Sequence, residues 1–430
     1  MTLATTLIER HFRVDHGALR VGGILIQELT EYYGTPLFVY DQKIIEKKLT
    51  QLRAILPRGF SISYSVKANP CREILSYFLA QGCGLEIASG GEYYRARHAG
   101  CPPEHIIFAG PGKTDAELEL VLTQGIGEIH VESLREICRI REICQALGKQ
   151  GRIAIRVNPT GEVQGGAMRM GGKPAPFGID EECLSEVVDL VVAERSLTFC
   201  GIHLFTGTQI LDAVTLLSQY RKGIAIARWV AERCQQPLRT VDFGGGLGIP
   251  YFANEQELDL SVLQRGLNEL MAEVRCVPLI STAQFVLEPG RYLVGEAGIY
   301  VTRVVDVKVS RGKKFVILDG GMNHHLAASG NLGQVIKRNF PIAILNRLTE
   351  AAKEKVDVVG PLCTPLDTLA RDVVLPSPEI GDVIGILQSG AYGVTASPVG
   401  FLSHPLPAEV WVENGKATEI RPRGNYTEFA

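Results

Sequence analysis

The chain has 430 residues, 46% of them hydrophobic and 21% charged, with a formal net charge of -3 at pH 7. That length supports two domains with substantial cores, and the absence of any basic run or stripe leaves nothing to neutralise a row of phosphates, so no nucleic-acid partner is expected. No stretch reaches the roughly 18 uninterrupted apolar residues that span a bilayer, and Met1-Thr2-Leu3-Ala4 begins no basic region followed by an apolar core. No membrane association is expected, and the cytoplasm is the expected location.

Residues 12–22 have strand character and residues 26–33 helical character; this first segment, 1–34, is expected to join a β domain formed later in the chain. From 35 to 292 short apolar strands alternate with longer helix-patterned segments. Eight strand candidates stand at 62–66, 85–88, 106–109, 129–132, 153–157, 201–205, 241–243 and 285–288. Strands alternating with helices predict a parallel sheet buried on both faces, and eight such units predict an α/β fold of the closed (β/α)8 TIM-type barrel. After 293 the strands at 301–309, 314–318, 382–387 and 409–413 follow without long helices, which predicts a mostly antiparallel β domain over 293–430. Ten cysteines are scattered without a C-x-x-C pair or a His/Cys cluster, so neither a disulfide framework nor a metal site is expected.

Polar and glycine-rich residues gather just after the barrel strands, where active sites of such barrels lie. The first strand delivers Lys67 and stops at Asn69-Pro70. A lysine at the end of a buried strand is costly to leave charged, which suits Schiff-base chemistry with a carbonyl cofactor; taken alone, it reads first as a lysine whose ammonium reaches solvent, and the rest of the chain reverses that order. Gly244-Gly245-Gly246-Leu247-Gly248 follows the seventh strand and suits a phosphate cradle, as it also suits a tight turn. Glu288-Pro289-Gly290-Arg291 ends the eighth strand. A carboxylate there can keep a pyridine nitrogen protonated, or can pair internally with Arg291. Lysine, glycine loop and carboxylate together point to pyridoxal 5'-phosphate.

The chain resembles the barrel-type pyridoxal-phosphate decarboxylases, which include the diaminopimelate and ornithine decarboxylases. The resemblance runs in family order through Gly34-Thr35-Pro36-Leu37, Tyr64-Ser65-Val66-Lys67-Ala68-Asn69, Gly244-Gly245-Gly246, Glu288-Pro289-Gly290-Arg291, Gly360-Pro361-Leu362-Cys363 and Gly390-Ala391-Tyr392-Gly393. It implies that Lys67 carries the cofactor as a Schiff base and that Glu288 faces the ring nitrogen. It implies that Gly245, Gly246, Gly290, Arg291, Thr208 and Tyr392 hold the cofactor, with Arg156 nearby, and that Cys363 returns a proton to the α-carbon. Arg291 and Tyr392 also count among the substrate contacts. Cys363 and Tyr392 would come from a second subunit, giving a homodimer with shared sites. Racemases use the same electron sink, and a non-catalytic pyridoxal-phosphate carrier is a further alternative; the Cys363 motif favours decarboxylation.

Three departures from the family bear on the substrate. The ring-stacking histidine is replaced by Phe205, which keeps the stacking and loses the protonatable edge, while His203 matches a second histidine of the diaminopimelate branch or is a core residue. The arginine that grips a distal carboxylate falls at Ala327. The acidic residue that follows the cysteine and binds a distal ammonium is Thr364, with Asp367 nearby as a partial replacement. An ammonium desolvated without a carboxylate partner costs several kcal/mol, so a neutral distal end is expected. The 170–178 stretch and Cys363-Thr364-Pro365 resemble a narrower branch that includes the glutamyl-carrier-protein decarboxylase of butirosin biosynthesis and exosortase-associated decarboxylases. A carrier-tethered aminoacyl substrate such as a glutamyl thioester is therefore expected. The alternative is a free amino acid such as diaminopimelate, met by Arg338 or Lys337 and Asp367. The 165–178 loop reads as a lid or as a docking surface in which Arg169 and Lys173 meet an acidic partner.

Overall fold

The computed structural model describes residues 2–161, 168–169, 174–334 and 336–429, which fall into two compact units, one of 51–248 with 257–290 and the other of 1–50, 249–256 and 291–430.

The first unit is the barrel. Its strands are β1 (Phe60–Ser65), β2 (Gly84–Ile87), β3 (Ile106–Phe108), β4 (Glu128–Val131), β5 (Gly151–Asn158), β6 (Leu197–Leu204), β7 (Thr240–Asp242) and β8 (Gln284–Leu287). All pair in parallel, and the ring closes where Leu287 of β8 lies opposite Ile62 of β1. The strand runs are nearly continuous in apolar residues because helices cover one face and the packed interior the other. Local signals stop and start the helices between them. Thr114 caps Asp115–Gln124 through a reciprocal pair with Glu117, and that helix ends on Gly125 at φ +81°. Ser133 caps Leu134–Leu147, which ends on Gly148 at φ +63°. An N-cap hydroxyl contributes about 1 kcal/mol, and a left-handed C-terminal position favours glycine. All eight predicted strands are present, with boundaries shifted by at most a few residues.

The second unit is built around the long strand Gly298–Ser310. It pairs antiparallel with Leu37–Asp41, Lys313–Leu318 and Val383–Ile386. Leu37–Asp41 pairs in turn with Ala408–Glu413, in parallel. Leu37, Val39, Ile299, Val301, Val383 and Val410 form its fully or nearly fully buried centre, each such side chain contributing about 1.5–3 kcal/mol. The boundary expected near residue 35 thus lies further along: Leu37–Asp41 belongs to this sheet, since its pairing partners are the strands near 300 and 410. Residues 13–25 form their own three-stranded sheet rather than extending the large one, and Leu19 N–H reaches Leu345 O at 2.8 Å. The helix Leu3–His11, capped by Thr2, was not signalled by the sequence reading.

Candidate active site

The barrel unit gathers its functional side chains at the C-terminal ends of the strands. After β1 the chain turns through a single 3-10 turn, Val66–Ala68, which carries Lys67. The Lys67 side chain is 42% exposed, and its Nζ lies 3.0 and 3.1 Å from the two carboxylate oxygens of Glu86 on β2. Glu86 is buried and also accepts the Ser65 hydroxyl at 2.5 Å. The amine is neither sealed, as the Schiff-base reading of a strand-end lysine expected, nor bare, as the solvent reading expected; a buried carboxylate balances it. Glu86 was missed from sequence, although one acid inside Leu85-Glu86-Ile87 is the signal that was available. Gly290 lets the end of β8 approach this turn, since a Cβ there would stand 2.8 Å from the Cβ of Ala68.

The glycine loop follows β7 directly. Gly244 and Gly246 adopt φ +64° and +98°, a region open to glycine. A Cβ on Gly245 would stand 2.5 Å from Glu288 O and one on Gly246 2.9 Å from Gly207 O. The loop is pinned by Glu288 N–H donating to Gly244 O at 2.8 Å and Ile210 N–H donating to Gly246 O at 2.8 Å. Backbone is thus presented without side chains in the way, the condition for holding a phosphate.

Phe205, just past β6, lies between two cations: Lys67 Nζ and Arg156 Cζ are each 6.0 Å from its ring centroid. Arg156 is buried, with Nη1 2.8 Å from Glu132 Oε1, and Glu132 also accepts N–H groups of Gly110 and Gly178 at 2.7 and 3.0 Å. Burial alone would raise the Glu132 carboxyl; the charges of Arg156 and Lys113 outweigh it and hold it below the usual range. Thr208 sits on a two-residue strand paired with Met168. Glu288 ends β8 in a buried position, with Oε2 3.5 Å from His203 Nε2 and no donor to Oε1 among the described residues. Burial pushes His203 well below the usual histidine range, so it is neutral, and its ring stacks on that of His130 at 4.3 Å. His203 is accordingly a buried residue in contact with the site.

The second unit holds the remaining candidates. Arg291 donates to Tyr251 Oη at 3.1 Å and lies 4.6 Å from the Tyr392 ring, with its Nε unpartnered among the described residues. Tyr251 had no signal in the sequence. Tyr392 takes φ +54° after Gly390, where a Cβ would meet Val294 O at 1.8 Å. Cys363 is exposed. Thr364 is half-buried and accepts Leu366 N–H at 3.3 Å. Asp367 is buried, and its two oxygens accept Met322 N–H at 2.7 Å and Leu362 N–H at 2.9 Å; its carboxylate is committed to holding those two turns together. Ala327 is buried. Arg338 lies over Phe252 at 3.5 Å and pairs with Glu255 at 3.3 Å, while Lys337 bonds Asn331. Of the 165–178 stretch, residues 165–167 and 170–173, including Lys173, lie outside the described residues, as does the side chain of Arg169.

These residues fit pyridoxal phosphate. Lys67 offers the amine, the 244–246 loop a cradle that a Cβ on Gly245 or Gly246 would fill, and the buried Glu288 a carboxylate for a ring N–H.

Comparison with known proteins agrees. Residues 42–295 match the family described as pyridoxal-dependent decarboxylase, pyridoxal binding domain. The chain is 40% identical over 402 residues to the L-glutamyl-(BtrI acyl-carrier protein) decarboxylase of Niallia circulans, covering 93% of this chain and 94% of that one. It is 35% identical to the diaminopimelate decarboxylase of Aquifex aeolicus, covering 95% and 94%. The solved diaminopimelate decarboxylase of M. jannaschii in complex with L-lysine superposes with a TM-score of 0.90 at 27% identity, over 97% of this chain and 96% of that one. With the barrel, the Lys67 turn, the glycine loop and Glu288 in place, the chain belongs to the pyridoxal-dependent decarboxylases.

Proposed function

We propose that this decarboxylase removes the α-carboxylate of an amino acid whose distal end carries no charge, and that the substrate is an aminoacyl thioester held on a carrier protein, a glutamyl thioester first among them. One observation carries the reading: the two positions that would clamp a distal charge are the buried Ala327 and the half-buried Thr364, and the nearby charges are engaged elsewhere, Asp367 by two backbone N–H groups and Arg338 by Glu255 and Phe252. A charged distal group would be desolvated without a partner, at a cost of several kcal/mol. The 40% identity to a carrier-protein decarboxylase supports the same assignment.

Pyridoxal phosphate, when bound, supplies the electron sink for the breaking bond to the carboxylate. The protein's own residues bind and orient. Lys67 would hold the cofactor through its amine, and Glu86 stands beside that amine to balance its charge when it is free. Gly245 and Gly246 would hold the phosphate, with Arg291 and Tyr392; Phe205 would lie against the ring, and Glu288 would keep the ring nitrogen protonated. Cys363, exposed and on a tight turn, is the proposed donor of the proton that replaces the carboxylate. We propose a homodimer in which Cys363 serves the barrel of the second copy; Tyr392, expected from the same source, instead goes with Arg291 of its own copy, 4.6 Å from its ring.

Carbon dioxide release tests the reading, measured for glutamyl carrier protein, free glutamate, diaminopimelate and ornithine with Lys67→Ala as blank. Release from the tethered substrate alone is expected. Efficient release from diaminopimelate with none from tethered glutamate would rule it out in favour of the free amino-acid reading, which the 35% identity to a diaminopimelate decarboxylase keeps as the second choice.

A further inference from the structure

Beneath Glu288 the barrel interior holds a column of titratable groups that the proposed chemistry does not use. From β4 come Glu128 and His130, from β6 His203 and from β7 Asp242, all buried. Glu128 accepts the Thr240 hydroxyl at 2.9 Å and lies 3.1 Å from His130 Nε2. His130 Nε2 is 3.9 Å from Asp242 Oδ2, and its Nδ1 is 3.9 Å from Glu288 Oε1. Arg156 of β5, Glu132 just after β4 and Glu86 of β2 act on the same cluster.

Asp242 is the member with two distinct contacts. Its Oδ1 accepts Gly244 N–H at 2.7 Å, while Gly244 O accepts Glu288 N–H at 2.8 Å. Its side chain is also within hydrogen-bond reach of the Glu288 side chain. Asp242 Oδ2 and Glu288 Oε1 both lack a donor among the described residues. Two carboxyl groups in contact, sealed from water, do not both ionise. A single proton between them satisfies both oxygens at once, whereas each oxygen left unsatisfied costs about 1–3 kcal/mol. Asp242 is fully enclosed where Glu288 keeps 5% exposure, which places the proton on Asp242; burial and the neighbouring Glu288 charge push its carboxyl well above the usual range, in the same direction.

We infer that Asp242 is a positioning residue that works as a neutral acid: one oxygen fixes the glycine loop through Gly244, and the other carries the proton donated to Glu288, which leaves Glu288 the anion that faces the cofactor ring. The two ends of the cofactor site, phosphate loop and ring carboxylate, are thereby tied through one side chain. The inference holds whichever amino acid is the substrate, because it concerns the cofactor-facing carboxylate alone.

The test compares Asp242→Asn, Asp242→Ala and Glu288→Gln by the Kd for pyridoxal phosphate and by the absorbance spectrum of the loaded protein between about pH 6 and 9. Asparagine reproduces both contacts of a protonated aspartate, accepting from Gly244 and donating to Glu288. Asp242→Asn is therefore expected to rescue what Asp242→Ala loses, holding Kd within about threefold of wild type with an unchanged pH profile. Asp242→Ala is expected to weaken binding at least about tenfold and to add a pH-dependent step to the spectrum, because the carboxylate facing the ring then lacks its donor. Asp242→Asn as damaging as Glu288→Gln would show that Asp242 is needed as an anion and overturn the inference. Asp242→Ala that weakens binding without moving the pH profile would reduce the residue to a loop anchor and overturn it too, as would Asp242→Ala that leaves both readouts unchanged. If circular dichroism shows Asp242→Ala unfolded, the contrast between Asp242→Asn and Glu288→Gln decides alone.

Discussion

At the scale of single residues, the role proposed for Lys67 depends on Glu86. Its carboxylate accepts both the Ser65 hydroxyl and the Lys67 ammonium, so the amine has a fixed counter-charge whenever it is not bonded to the cofactor. Hydrogen bonds to a charged group contribute about 1.5–3 kcal/mol. Glu86→Gln is therefore expected to lower kcat/KM about 10–100-fold with the fold retained, measured by carbon dioxide release and circular dichroism. Thr364 allows the opposite experiment. Thr364→Glu places a carboxylate where a distal ammonium would need one, and is expected to raise kcat/KM for ornithine or diaminopimelate relative to the tethered substrate by about tenfold or more; no change in that ratio would sink the reading of Thr364 as a specificity position. Lys67, Gly245, Gly246 and Glu288 could be singled out as candidates from the sequence because each stands just after an apolar strand, where a break in the apolar run needs a reason. Glu86, Asp242 and His130 could not, because a lone polar residue inside a short strand shows neither which side chains it faces nor whether water reaches it.

At the scale of elements, the second unit is pinned by a buried ion cluster. Glu296, in the turn after Arg291–Val294, lies 3.1 Å from Lys48 of the helix Gln42–Ile55 and 3.2 Å from His11 of the helix Leu3–His11. Burial by itself would raise the Glu296 carboxyl, but the His11 hydrogen bond and the Lys48 charge outweigh it and bring it down to about 2. A carboxyl depressed in the folded state contributes stability that is fully present above the unfolded value of about 4.5 and is lost as pH falls towards about 2. Glu296→Gln leaves Lys48 buried without its partner and is expected to cost about 3–5 kcal/mol near neutral pH, with the deficit against wild type shrinking below about pH 4.5. Urea unfolding at several pH values checks both. Gly390 makes a second point about elements: a Cβ there would meet Val294 O, and a shift of the backbone to relieve it moves the turn carrying Tyr392. Gly390→Ala is expected to destabilise by about 1–3 kcal/mol and to weaken cofactor binding. The strand Leu37–Asp41 shows why elements are harder to place than to find. Five buried residues in a row declare a strand, yet its partners stand some hundreds of residues away at Gly298–Val301 and Ala408–Val412, and no local pattern states which sheet an apolar run joins.

At the scale of the whole molecule, the alternation of strand and helix made the barrel readable, because each βα unit declares itself within a few tens of residues. The β unit was read only in outline: Glu354–Val359 and Thr368–Leu375, which extend its sheet, were not anticipated, since their pairings are set by tertiary contacts rather than by spacing. The assembly is the remaining level, and Cys363 provides its test. A thiol proposed to protonate the α-carbon stands exposed, as a group serving the barrel of a second copy would. If sites are shared between copies of a two-fold dimer, Lys67→Ala and Cys363→Ala damage different halves of each site. Mixed and allowed to exchange, the two inactive variants form heterodimers as about half of the population, and in each of these one of the two sites combines an intact Lys67 with an intact Cys363. Activity is then expected to return to about a quarter of the wild-type level, measured by carbon dioxide release after incubation of the mixture. A mixture as inactive as its components, in which mass analysis shows heterodimers present, would mean that each copy uses its own Cys363, and the shared-site assembly would fall while the assignment of the barrel residues stood.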